Sequence, residues 1–75
     1  MKLYVGGREI EVPRDEQGKV NVVEVRRRLN LPDNRMLIQQ KQTGENVILP
    51  DKGQVLLNPY DRFIESGRAV RGRNP

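Results

Sequence analysis

The chain has 75 residues, enough for one small domain with a thin core, and 35% of them are hydrophobic. It has no cysteine and no histidine, which excludes disulfide staples, thiolate metal centres and nucleophile–histidine catalysis. No cofactor is expected. Net charge is +4, and +3 of it lies from Arg62 onward, where four arginines stand against one glutamate.

Lys2–Val5 and Arg8–Val12 are two β-rich runs joined by Gly6-Gly7. A two-residue loop of glycines supplies the positive φ angles of a tight hairpin. It sets Val5 opposite Arg8, Tyr4 opposite Glu9, Leu3 opposite Ile10, Lys2 opposite Glu11 and Met1 opposite Val12. Met1, Leu3, Val5, Ile10 and Val12 then share an apolar face, with a Lys2–Glu11 charge pair on the polar one.

Pro13–Gly18 is a polar connector leading to a helix start. Asn21 is placed as N-cap, with Glu24 as its capping-box partner and Val20 and Val25 at staple spacing. Val22, Val25 and Leu29 share one face, and Arg26, Arg27 and Arg28 lie largely off it, near the negative end of the helix dipole. Asn30 and Pro32 stop the helix after two to three turns. The arginine triplet is a candidate basic patch for a partner.

Met36–Gln40 reads as a strand and Asn46–Leu49 as a shorter one, with a Thr43-Gly44-Glu45 turn between them. Pro50–Gly53 is a loop, Val55-Leu56-Leu57 is apolar, and Asn58–Asp61 is turn-rich. Arg62–Glu65 reads as the final strand, with Phe63, the one phenylalanine, as a core plug. Leu3, Ile10, Val25, Leu37 and Phe63 are expected to be core residues. The remaining stretch, Gly67-Arg-Ala-Val-Arg-Gly72-Arg-Asn-Pro75, has nothing to anchor it in a core and is expected to be a flexible tail. Gly67 is the expected hinge.

The order strand–strand–helix–strand–short strand–strand predicts an α+β fold. A mixed sheet of four to five strands packs on one short helix, the β-grasp arrangement. A crossover through the helix is expected to set the third strand parallel to the first.

With that order, its length and a tail containing Gly72, the chain from Met1 to Gly72 resembles the ubiquitin-like proteins. The opening, Met1-Lys-Leu-Tyr-Val-Gly-Gly-Arg-Glu-Ile-Glu-Val-Pro13, is also similar to the start of the sulfur carriers of thiamin and molybdopterin synthesis. Thr43–Pro50 and Asp61-Arg-Phe63 look more like the bacterial ubiquitin-like proteins found beside activating, conjugating and deconjugating enzymes. The resemblance implies a domain over 1–66 and a tail over 67–75. It also implies a protein modifier whose terminal glycine carboxylate is adenylated, passed to a thiol and joined to a target amine. Gly72 is then the conjugation terminus, and Gly67, Arg68, Ala69, Val70 and Arg71 form the tail that the enzymes recognise.

These families end in a glycine pair, whereas Arg71-Gly72 supplies a single one and Arg73-Asn-Pro75 follow it. A processing peptidase is therefore implied, along with an activating enzyme that uses ATP, a conjugating enzyme, a deconjugating enzyme and a target protein. The modifier itself is expected to be a cytoplasmic monomer that binds no membrane.

Other readings stay open. A domain of this kind also serves as a non-covalent interaction module through its exposed sheet, or as a sulfur carrier. Nucleic-acid binding ranks below these, because Tyr4, Tyr60 and Phe63 offer few stacking platforms beside the arginines. An enzyme is not expected, since Glu9 with Glu11 and Asp15 with Glu16 read as solvated surface.

Overall fold

A computed structural model describes residues 1–67. Its elements run β1 (Lys2–Val5), β2 (Arg8–Glu11), β3 (Val20–Asn21), α1 (Val22–Leu29), β4 (Arg35–Gln40), β5 (Asn46–Ile48), β6 (Gln54–Val55) and β7 (Arg62–Gly67). Five of these strands form one mixed sheet in the order β2-β1-β7-β4-β5, and β3 pairs with β6 in a two-stranded ribbon. One helix packs on the sheet. Fold class is therefore α+β.

The hairpin has the register expected from its loop. Val5 faces Arg8, Tyr4 faces Glu9, Leu3 faces Ile10 and Lys2 faces Glu11. Gly6 and Gly7 carry φ of 55° and 85°, angles that side chains resist and that match the twist of the flanking strands. Reciprocal bonds of 2.9 Å between Met1 and Val12 extend the ladder by one pair. The expected Lys2–Glu11 charge pair is replaced. Lys2 Nζ sits 3.5 Å from Glu9 instead, and Glu11 lies 4.0 Å from the N-terminal ammonium. A diagonal neighbour is within reach of a long lysine side chain, so facing positions do not fix the partner.

Asn21 caps the helix, with its Oδ1 accepting the Val23 N–H at 2.9 Å. The reciprocal half of the capping box does not form, because Arg27 and Arg28 both donate to the Glu24 carboxylate and hold it away from the N-cap. Asn30 closes the other end in the left-handed region, with φ 56° and ψ 43°, and Leu31 N–H reaches back to the Arg26 carbonyl. The ribbon of β3 and β6 sets Val20 against Val55, which latches the start of the helix to the loop before β7.

The strand parallel to β1 is β7, the last one, and not the third long strand β4. Since β4 runs antiparallel to β7, it is also antiparallel to β1 and parallel to β2. The expectation of a parallel first and third strand is thus corrected. The strand that feeds the helix is β2, and a crossover makes that strand, not its hairpin partner, parallel to the next.

Leu3, Val5, Val12, Val20, Val25, Leu29, Leu37, Leu49, Leu57 and Phe63 make one buried cluster between sheet and helix. Ile10 only packs against its margin, since β2 is an edge strand that the helix covers incompletely. The apolar run at Val55–Leu57 is split: Leu57 is buried, whereas Leu56 is 71% exposed.

A domain this small has only a few kcal/mol of net stability, so one core cavity removes much of it. Leu37→Ala is expected to cost about 2–5 kcal/mol in urea unfolding. Ile48→Ala, at a site 62% exposed, is expected to cost less than about 1 kcal/mol. Equal losses would mean that β4 does not bury Leu37 as described.

Candidate functional site

Gly67 is the last residue of β7 and pairs with Arg35, the first residue of β4, so the chain reaches the margin of the sheet there. A Cβ at Gly67 would stand 3.6 Å from Arg35 Nη1, an ordinary contact, and its φ is not left-handed. This backbone does not require glycine. Beside it, Arg35 Nε donates to Glu65 Oε1 at 3.1 Å in a half-buried ion pair. The expected recognition residues Arg68, Ala69, Val70 and Arg71, and the expected terminus Gly72, lie outside the described residues.

The arginine triplet is divided among separate partners. Arg26, with its side chain 11% exposed, donates from Nη2 to the Pro32 carbonyl at 2.9 Å and lies 3.7 Å from Asp51. Arg27 and Arg28 share Glu24, and Arg28 also donates to the Glu11 carbonyl, tying helix to sheet. Hydrogen bonds from Arg27 and then Arg28 hold the Glu24 carboxyl below its ordinary range, and Glu24 in turn raises the Arg27 guanidinium. Arg27 is the most exposed of the three.

The carboxylates singled out for an enzyme reading are spread over the surface. Glu9 and Glu11 meet Lys2 and the N-terminus, whereas Asp15 Oδ1 accepts the N–H groups of Gln17 and Lys19, both at 2.8 Å, within a turn. Among the described residues no group of three or more His, Cys, Asp or Glu could hold a metal ion. No helix there is long and apolar enough to cross a membrane.

The sheet has an outer face opposite the helix. Leu37 and Phe63 point inward, so alternation sends Met36, Ile38 and Ile64 outward. Ile38 pairs with Ile64 on one side and Ile48 on the other, which lines up three isoleucines across β7, β4 and β5. Tyr4, 54% exposed, stands close by with Arg62 and Ile64 around a shallow hollow. This row was hidden in the sequence because each strand contributes a single outward isoleucine. Only the strand order assembles them.

A second feature was also missed. Gln39 and Asp61 are each 6% exposed, and Gln39 Nε2 donates to Asp61 Oδ2 at 2.7 Å. Gln39 shares inward parity with Leu37, so the position was legible, but its partner on the turn before β7 was not. Both residues line a groove with Leu56, Leu57 and Pro59.

No family model matches the chain, and comparisons with curated proteins and with solved structures give no match.

The Glu24 carboxyl supplies a direct check on the arginine assignments. Its folded value is depressed, so its contribution to stability is complete above the unfolded value of 4.5 and is lost as pH falls through the lower folded one. An NMR titration should place the Glu24 inflection below that of an unfolded glutamate. The stability gap between the parent and Glu24→Gln should also close on acidification. An inflection at or above the ordinary value would refute the paired geometry.

Proposed function

We propose that the protein is a ubiquitin-like modifier on a β-grasp scaffold, joined to target amines through Gly72 once Arg73–Pro75 are removed. The support is the strand order β2-β1-β7-β4-β5, with β1 and β7 parallel at its centre and a single helix on one face. That order places the last strand in the middle of the sheet and brings it to the margin at Gly67. Residues 68–72 beyond that point hold two arginines and a glycine and no aromatic side chain.

Chemistry on the carboxyl would then belong to the partners. An activating enzyme supplies ATP and adenylates Gly72, displacing pyrophosphate. A thiol takes the acyl group with release of AMP, and a target amine takes it from the thiol. The modifier contributes a carbonyl without a side chain to obstruct attack, and Arg68 and Arg71 to engage acidic surfaces on those enzymes. A sulfur carrier would share the adenylation and end as a thiocarboxylate.

The outer face favours a second reading, a module that binds a larger protein without covalent transfer. Three adjoining isoleucines, Ile48 among them well exposed, and a half-exposed tyrosine make one contiguous apolar patch, the kind of surface that partners use.

Incubation of the chain ending at Gly72 with its activating enzyme and ATP separates the two. The modifier reading expects a thioester adduct from this form, and none from the Pro75 form until a peptidase trims it. It also expects a loss of more than about tenfold in adduct for Gly72→Ala. If Gly72→Ala keeps full biological activity while Ile48→Glu abolishes partner binding, the interaction module replaces the modifier.

A further inference from the structure

The geometry points to the groove over Gln39 and Asp61 as a socket for an arginine side chain on a partner protein. This binding function is separate from the carboxyl chemistry of Gly72. The groove encloses about 560 Å³ and opens at the end of β4 and β7 remote from Gly67.

Asp61 carries the inference. The residue is buried, yet among the described residues the only side-chain donor to its carboxylate is Gln39, which reaches Oδ2. No buried side-chain oxygen or nitrogen there lacks a hydrogen-bond partner and none is seen for Asp61 Oδ1, so that atom keeps some contact with solvent, and Asp61 lines the groove. The same holds for Gln39 Oε1. Gln39 Nε2 donates to Asp61 Oδ2, which turns the amide oxygen Oε1 away from that carboxylate. The floor therefore presents a carboxylate oxygen and an amide oxygen as acceptors.

Two neighbouring donors are committed elsewhere. Lys41 Nζ lies 3.8 Å from Glu45, and Gln42 Nε2 donates to the Tyr60 carbonyl. The turn above the floor is closed on itself: Asn58 Oδ1 accepts from Tyr60 N–H, and the Asn58 carbonyl accepts from Asp61 N–H. Leu56 projects from the rim with 71% of its surface in solvent, next to Leu57 and Pro59.

A carboxylate oxygen beside an amide oxygen, under an apolar rim, calls for a cation with several donors and an apolar stem. Arginine has both. Its planar fork offers separate N–H groups to the two acceptors, while its methylenes cover Leu56 and Pro59. An ammonium ion has the charge but presents it as a point and is more strongly hydrated. The chain's own net charge of +4 opposes a basic partner over long range, but at roughly 0.1 M salt that repulsion is screened beyond about 10 Å.

The test is an NMR titration of the intact chain at that ionic strength. The probe is a short capped peptide with arginine between leucines, alongside twins bearing citrulline or lysine in its place. Saturable amide shifts at Gln39, Leu56, Leu57 and Asp61 are expected from the arginine peptide, with the citrulline twin at least about tenfold weaker. Asp61→Asn should weaken the arginine peptide to a similar degree, and Leu56→Ala by about threefold. If Asp61→Asn fails to fold, the citrulline comparison on the parent chain decides alone. Equal binding of the citrulline or lysine twin, shifts confined to other surfaces, or no shifts at roughly millimolar peptide would each overturn the assignment. Concentration-dependent shifts at the same amides in the free protein would give the socket to the arginines of a second copy and overturn the partner.

Discussion

Strand β7 is the last of the described strands and the one on which the sheet closes. Without it the five-stranded sheet falls into two antiparallel ribbons, β1 with β2 and β4 with β5, and neither ribbon would be stable alone in water. By lying parallel to β1 and antiparallel to β4 it joins them, and it brings Phe63 into the cluster that already contains Leu3, Val5 and Leu37. The helix has only eight residues and is too short to persist unless such a sheet lies under it. Core, helix and outer face all wait on this pairing. It links Val5 to Phe63 across most of the described chain, so it closes the longest loop in the sheet and carries its largest closure entropy.

The carbonyl end of that short helix is closed by guanidinium groups. Arg8 on β2 donates to the Leu29 carbonyl at 3.2 Å, Arg28 returns the tie to the Glu11 carbonyl, and Arg26 holds Pro32. Cations near a helix C-terminus are favourable, and these also bind particular oxygens on neighbouring segments. The cluster therefore acts first on the joint between helix and sheet. Any partner that used the triplet would have to share charges already engaged with Glu24 and Asp51.

What could be read from the sequence was what nearest neighbours decide. The Gly6-Gly7 loop dictates a register, and that register holds at every pair from Lys2 to Val5. Asn21 and Asn30 bound the helix because both caps depend on a single residue's backbone and side chain. Strand order is not local, which is why the isoleucine row escaped notice. Competition hid the rest. Glu24 has the spacing of a capping box, but two arginines within one turn outbid the N-cap amide for it. The Gln39–Asp61 pair spans 22 positions and has no sequence signature beyond a polar residue at an inward position.

The two ends of β4 and β7 now have distinct characters. At one end Gln40 pairs with Arg62, and the buried carboxylate opens beside them to its groove; at the other, Arg35 pairs with Gly67, where the described chain stops. Six residues of strand separate these ends, roughly 20 Å at the usual rise. The two strands are paired along that whole length with no bulge, so the spacing is set by backbone hydrogen bonds and not by loops. A partner held at the groove would leave the Gly67 end uncovered. Under the proposed function, recognition and carboxyl chemistry would fall at opposite ends of these two strands. That separation follows from placing the last strand in the centre: the edge strands β2 and β5 could vary in length without moving either end.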